Sequence, residues 1–286
     1  MTAWMLCSGG LVVGEDGRVG GQSPDRAASG RAGSVARAVC PAIIARMAFS
    51  PLAAVGAVTA VTADGVATFC GTCFLFRHTH VALTANHCVP ESAHSLRLEL
   101  PSFPRLQHVE RVERHPTADL AVVFTTSQGD DEGTGYPEGA FWDCVSNLGL
   151  AEQYITYGFP TEGPAPDSHG FPTARVFVGH FQRFFNYTSP SCYRYAAMEL
   201  SGTAPSGLSG GPIFRQGAPQ MLTGMVTANI ESYAVTDSIE ELRDGGDVYR
   251  LESRRVISFG VGLQLAPLCD WLREVVPERP GMGWVS

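Results

Sequence analysis

Short runs of β character, each closed off by turn residues, recur from Ala54 to Leu265, and this rhythm constrains the fold more than any other feature. The first group comprises Ala54–Val61, Val66–Phe76, Val81–Ala85, Leu96–Leu100, Leu106–Glu113 and Leu120–Thr125. A charged, glycine-rich stretch, Gln128-Gly129-Asp130-Asp131-Glu132-Gly133, then reads as an exposed linker. The second group comprises Tyr154–Tyr157, Thr173–Phe181, Tyr193–Glu199, Pro212–Phe214, Met221–Val226 and Val256–Leu265. The 32 glycines and 19 prolines favour many short strands over long helices. Near the C-terminus, Leu265, Leu268, Leu272, Val275 and Val276 fall at helical spacing and predict one docking helix. Two strand groups with a linker between them suit an all-β chain of two packed antiparallel barrels, and 286 residues supply ample core.

The expected organisation is a leader over 1–49, a first barrel over 50–127, a linker over 128–145, a second barrel with the closing helix over 146–277, and a tail over 278–286. Between Glu15 and Ala36 the chain is rich in Gly, Ser, Ala and Arg without hydrophobic periodicity. That composition reads as a disordered leader, or as an extension upstream of a true start at Met47. Met1 to Gly10 lacks a basic start, and its apolar stretch is broken by Ser8-Gly9-Gly10, so no signal peptide is evident. The expected location is cytoplasmic, or secreted if a non-standard export signal operates. No apolar run has the length of a membrane span. The formal net charge of -8 argues against a nucleic-acid-binding surface. All 20 basic residues are arginine, which excludes Ser–Lys dyads, P-loop sites and lysine Schiff bases.

Chemistry concentrates in Gly207-Leu208-Ser209-Gly210-Gly211-Pro212. A serine between glycines is presented on a tight turn, with neighbouring backbone N–H groups free to bind an oxyanion. Upstream stands Leu83-Thr84-Ala85-Asn86-His87-Cys88, and between the two lies Ala118-Asp119-Leu120-Ala121-Val122-Val123. The order His, Asp, Ser reads as a catalytic triad. The serine segment formally fits G-x-S-x-G, yet α/β-hydrolases place histidine after serine, and the last histidine here is His180. A subtilisin-like order would need a carboxylate before His87, where Asp64 carries no supporting motif. Each triad residue has an ordinary structural explanation when taken singly; together they favour catalysis.

These segments resemble the chymotrypsin-like, or trypsin-like, serine protease superfamily, and bacterial members more than digestive or clotting enzymes. Phe69-Cys70-Gly71-Thr72-Cys73-Phe74-Leu75 and Gly260-Val261-Gly262 with Asp270-Trp271-Leu272 complete the resemblance, which runs from about Pro51 to Val276. It implies two packed six-stranded antiparallel barrels, with His87 and Asp119 in the first, Ser209 in the second and substrate in the cleft between. It also implies an oxyanion hole from the N–H groups of Gly207 and Ser209. Thr203 would lie near the floor of the primary specificity pocket, with Thr227, Ala228 and Asn229 pairing with substrate backbone and Gly260 in the pocket wall. None of these carries charge, which predicts an uncharged residue before the scissile bond. The insertion between Asn229 and Gly260, with Asp237, Glu240, Glu241, Asp244 and Asp247, is expected as a solvated acidic loop; folded back, it would supply a carboxylate. Animal enzymes carry aspartate where this chain has Leu208, so zymogen activation by a freed N-terminus is not expected.

The resemblance also implies an optional bridge between Cys70 and Cys88, with ordinary buried thiols the default in a reducing cytosol. Cys70 and Cys73 form a C-x-x-C without thioredoxin context. The remaining histidines lack metal-ligand spacing with cysteines, so no metal or cofactor is expected. The expected activity is peptide-bond hydrolysis through an acyl-enzyme, on a protein or peptide substrate. Two alternatives use the same residues: an inactive or weak fold that captures peptides, and an esterase.

Overall fold

The computed structural model describes residues 51–92, 94–101, 107–126, 143–144, 148–161, 173–217, 221–242 and 248–276. The leader over 1–49, most of the linker over 128–145 and the tail over 278–286 lie outside them.

Six strands of the first half close into an antiparallel barrel: β1 (Val55–Val61), β2 (Ala67–Leu75), β3 (Val81–Thr84), β4 (Ser95–Glu99), β5 (Gln107–Arg114) and β6 (Ala121–Thr125), in the order β1-β2-β3-β6-β5-β4. Every residue of β1, β3 and β6 is buried, which is why these strands read as continuous apolar runs. β5 carries charges outward and leans Val109 and Val112 against the core.

The second half forms a seven-stranded sheet from β7 (Asp143–Cys144), β8 (Gln153–Gly158), β9 (Arg175–Thr188), β10 (Arg194–Leu200), β11 (Pro212–Arg215), β12 (Met221–Leu242) and β13 (Val248–Gln264), ordered β11-β8-β9-β10-β13-β12-β7. A further β11–β12 pairing joins the ends, so six strands pair in a ring, with β7 added in parallel at Met221 and Leu222. β7 comes from within the expected linker.

One expectation fails here. The stretch between Asn229 and Gly260 is not an irregular acidic loop. β12 and β13 stay paired from Gly224↔Gln264 out to Leu242↔Val248, as a two-stranded arm. Cross-strand pairs such as Tyr233↔Val256, Ser232↔Ile257 and Ile239↔Leu251 supply the β-branched and aromatic contacts that favour a ladder. The interleaved carboxylates masked that period.

The predicted helix is also shorter. A 3-10 turn (Ala266–Leu268) containing Pro267 precedes helix α1 (Cys269–Val275). Leu272 is buried, and Trp271 stands edge-on to His115 with ring centroids 4.8 Å apart. One apolar cluster runs through both halves, from Val55, Phe74 and Leu83 to Phe214, Leu263 and Leu272. The loops bearing the candidate residues are therefore anchored on a shared core.

Candidate active site

His87 sits in a 3-10 turn (Asn86–Cys88) that follows β3. The Arg114 guanidinium fastens both ends of this turn, donating to the Asn86 carbonyl at 3.3 Å and the Val89 carbonyl at 2.7 Å, and also to the Asn86 side-chain oxygen. Asn86 Nδ2 in turn donates to the Tyr193 hydroxyl at 2.6 Å. Asp119 lies in the bend before β6, shaped by the Thr117 and Ala118 N–H groups donating to His115 Nδ1 at 3.2 and 2.8 Å. The two candidates meet twice. The His87 backbone N–H donates to Asp119 Oδ1 at 3.1 Å, and His87 Nδ1 lies 2.7 Å from Asp119 Oδ2. With Nδ1–H committed to the carboxylate, Nε2 is the acceptor nitrogen of the neutral ring. Asp119 is 5% exposed at its side chain and His87 40%, so the buried carboxylate orients a ring that keeps an open side. Burial alone pushes the His87 pKa down. Hydrogen bonding to Asp119 and to the Cys88 side chain outweighs this and raises it to about 10.

Ser209 lies between β10 and β11, on a loop tied to both barrels. Leu208 N–H donates to the Pro205 carbonyl at 3.0 Å and Gly211 N–H to the Leu208 carbonyl at 2.8 Å, which makes the turn. From the first barrel, Thr72 N–H donates to the Ser209 carbonyl and Thr72 Oγ1 to the Gly207 carbonyl, both at 2.8 Å. Cys88 Sγ donates to the same Ser209 carbonyl at 3.6 Å. Gly207 and Gly210 both have φ of +87°, and a Cβ on them would lie 2.5 Å from the Phe159 carbonyl oxygen and 1.9 Å from the Thr72 carbonyl oxygen. Only glycine fits either position. The N–H groups of Gly207 and Ser209 find no acceptor among the described residues. Leu208 is 1% exposed and packs with Tyr154, Phe181, Leu200 and Val226. An apolar anchor thus holds the loop where an ion pair was not available.

Ser209 Oγ donates to the Thr227 carbonyl at 3.3 Å, which brings β12 to the serine. Thr227 is the extra residue of a β-bulge between Val226 and Ala228. Its buried hydroxyl accepts from Tyr195 at 2.9 Å and donates to the Val261 carbonyl at 3.2 Å. Ala228 is partly buried and Asn229 exposed; Asn229 stands in register with Gly260. The Asn229 side chain receives the Ala204 N–H at 2.7 Å and donates back to the Ala204 carbonyl. Gly260 N–H donates to the Gly202 carbonyl at 2.7 Å. The segment 202–204, Asn229 and Gly260 therefore come together, and Thr203 is exposed within that segment. The arm's described carboxylates turn elsewhere: Glu240 faces Arg250 at 3.7 Å, and Asp237 Oδ1 accepts the Ser238 N–H at 2.9 Å. The side chains of Glu241, Asp244 and Asp247 lie outside the described residues. Cys70, Cys73 and Cys88 are free thiols.

Sequence reading missed Arg114, His115, Tyr193 and Tyr195. No motif marks them: His115 acts within its own bend, on Thr117 and Ala118, whereas Arg114, Tyr193 and Tyr195 reach partners that are distant in the chain.

No family model matches the chain, and no curated protein matches it by sequence. Solved structures do match. The protease domain of MamO from Magnetospirillum magneticum superposes with a TM-score of 0.52 at 12% identity, over 79% of this chain and 98% of that one. The fold is that of trypsin-like proteases. The HtrA-type protease AlgW, solved with a tripeptide, gives a TM-score of 0.53 at 15% identity over 79% of this chain. AlgW solved with a decapeptide gives 0.52 at 14% identity. The matched region spans 60% and 65% of those two AlgW chains. No helix among the described residues of this trypsin-like fold is long and apolar enough to cross a membrane.

Proposed function

We propose that this protein is a serine endopeptidase that cleaves peptide bonds through an acyl-enzyme. The observation that carries the proposal is the His87–Asp119 pair, at 2.7 Å, on one barrel, facing a serine loop from the other whose Gly207 and Ser209 N–H groups have no described acceptor. Ser209 is the nucleophile. His87 Nε2 takes the hydroxyl proton as Oγ attacks the carbonyl carbon, and later gives it to the leaving amine. Asp119 holds the tautomer and stabilises the imidazolium. The Gly207 and Ser209 N–H groups receive the oxyanion, each such donor being worth on the order of a hundredfold or more in turnover. Thr227, Ala228 and Asn229 pair with substrate backbone, and Thr203 and Gly260 border the side-chain pocket, which takes an uncharged residue. The peptides named in the AlgW structures support a peptide ligand here too.

One observation favours a second reading, a module that captures peptides without turnover. Ser209 Oγ is bonded to the Thr227 carbonyl, and no hydrogen bond joins it to His87. A fluorophosphonate probe separates the two. A peptidase labels at Ser209 and cuts an unfolded protein substrate, and Ser209→Ala loses both; a capture module binds peptide and does neither.

A further inference from the structure

The strand that reaches Ser209 does not end at the site. β12 pairs with β11 only as far as Met225, and the Val226 N–H and carbonyl are taken by Gly211 and Gly210 of the serine loop, both at 2.8 Å. Beyond Thr227 no strand among the described residues covers this side of β12, while its other side stays on β13 out to Leu242. In an antiparallel ladder, successive residues turn their N–H and C=O groups to alternate neighbours. Past the bulge at Thr227 the open side is met by Asn229, Glu231, Tyr233 and Val235 in turn. A second register shift between Val235 and Asp237 bends the edge and ends this run.

Natural edge strands are blunted by charged side chains, lysine above all, by proline, by bulges or by a covering element. On this edge charge and a bulge are present, but lysine and proline are not. This chain has no lysine, and the segment 226–242 has no proline. The ribbon exposes Tyr233 at 58%, Val235 at 53% and, opposite Tyr233 on β13, Val256 at 52%. Charge on the arm is also divided. From Asn229 to Glu240, β12 carries Glu231, Asp237 and Glu240 and no arginine. The arginines are on β13, where Arg250 and Arg254 pair with Glu252 at 3.0 and 2.7 Å. Among the described residues Glu231 receives only the Tyr233 hydroxyl, at 2.7 Å, so the open edge is acidic near the site.

We infer that the open edge of β12 from Asn229 to Val235 binds the upstream backbone of an extended substrate as an added strand, and that it selects peptides carrying basic residues among apolar ones. The inference rests on the peptidase reading for the cut itself. It rests on the continuity of one strand for the binding. A peptide running antiparallel to β12 from a scissile carbonyl at Ser209 places every second upstream residue against Asn229, Glu231, Tyr233 and Val235, so pairing extends over roughly nine residues. The backbone bonds supply affinity, and Glu231 beside Tyr233 supplies the preference for a positive charge.

The test uses the full chain and a nested set of peptides with one cleavage sequence, extended upstream from about three to about nine residues. Expected is a rise in kcat/KM of about tenfold or more with length, then a plateau, and a preference for Arg over Glu opposite Glu231 that Glu231→Arg reverses. A variant with 232–257 replaced by Asn-Gly, which keeps the Asn229–Gly260 pair, should cut the shortest peptide normally and lose the length dependence. Length-independent cleavage, or the same length dependence in the shortened arm, overturns the inference. If nothing is cut and Ser209 does not label, the peptidase reading fails by itself. The edge is then read from anisotropy of the labelled long peptide on Ser209→Ala, where absent binding, or arm-dependent self-association in its place, overturns it.

Discussion

Ser209 Oγ donates to the Thr227 carbonyl, 3.3 Å away, and not to His87, the base of the mechanism we propose. The Thr227 carbonyl belongs to the strand that we assign to substrate backbone. Under that assignment a peptide N–H arriving there competes for the same acceptor and frees the serine hydroxyl to turn. In the proposed mechanism this bond occupies the Ser209 hydroxyl until a peptide takes its acceptor.

Loss of any reacting group should be severe and non-additive. Ser209→Ala and His87→Ala are each expected to lower kcat by roughly a thousandfold or more, and the double variant to lose little beyond either single change, because they act as one unit. Unchanged melting temperatures would show that the fold is intact. Peptidase activity persisting in purified Ser209→Ala would sink the mechanism.

The pH profile should lean alkaline. Only neutral His87 can accept the serine proton, and its pKa is raised to about 10 against the usual 6.5, so activity in the free enzyme grows as pH rises toward that value. Asp119→Asn removes the main cause of the rise; the activity limb should move to lower pH while the plateau falls by about four orders of magnitude. The stability effect has the opposite sense. A proton held more tightly by the folded form stabilises it fully below about pH 6.5, and this contribution fades as pH climbs through the folded pKa. Kinetic profiles and melts across pH 5–11 on both proteins check each sign.

Leu208 should act as the anchor of the oxyanion loop. It is 1% exposed within an apolar cluster, so Leu208→Ala should cost about 2–5 kcal/mol through the cavity it leaves. Leu208→Asp, which restores the residue type of animal enzymes, should be worse, because it buries a carboxylate beside Tyr154, Phe181 and Val226. Denaturant unfolding measures the first, and soluble yield with melting temperature the second.

Thiol chemistry bears on the compartment. We propose a reducing, cytoplasmic setting, in which Cys70 and Cys88 stay thiols; burial raises the pKa of Cys70, which disfavours the reactive thiolate. Melts should then be the same with and without reductant, and Cys70→Ser with Cys88→Ser should cost little. A bridge closing this loop would contribute about 3 kcal/mol, so a large reductant-dependent drop would overturn the compartment proposed.

Most strand positions were legible because fully buried strands write themselves as apolar runs, as in Val55–Val61 and Ala121–Thr125. The arm was not. Its two strands are exposed on both faces, so Glu231, Asp237 and Glu240 interrupt the hydrophobic period that would have announced Tyr233, Val235 and Ile239. The order His87, Asp119, Ser209 could be read because each residue stands in a distinctive local sequence, and local sequence sets turns and glycine positions.

The amino-acid sequence by itself determined the β-rich architecture, the glycine-bounded serine turn and the residue types available for chemistry, since these follow from short-range pattern and composition. Only the tertiary structure decided that Arg114 clamps the His87 turn, that Leu208 roots the serine loop, that Asn229 grips Ala204 and that β12 runs on beyond the described strands on one side. Those contacts join residues far apart in the chain. Their geometry is set by barrel closure and strand register, which depend on the packing of all the strands together.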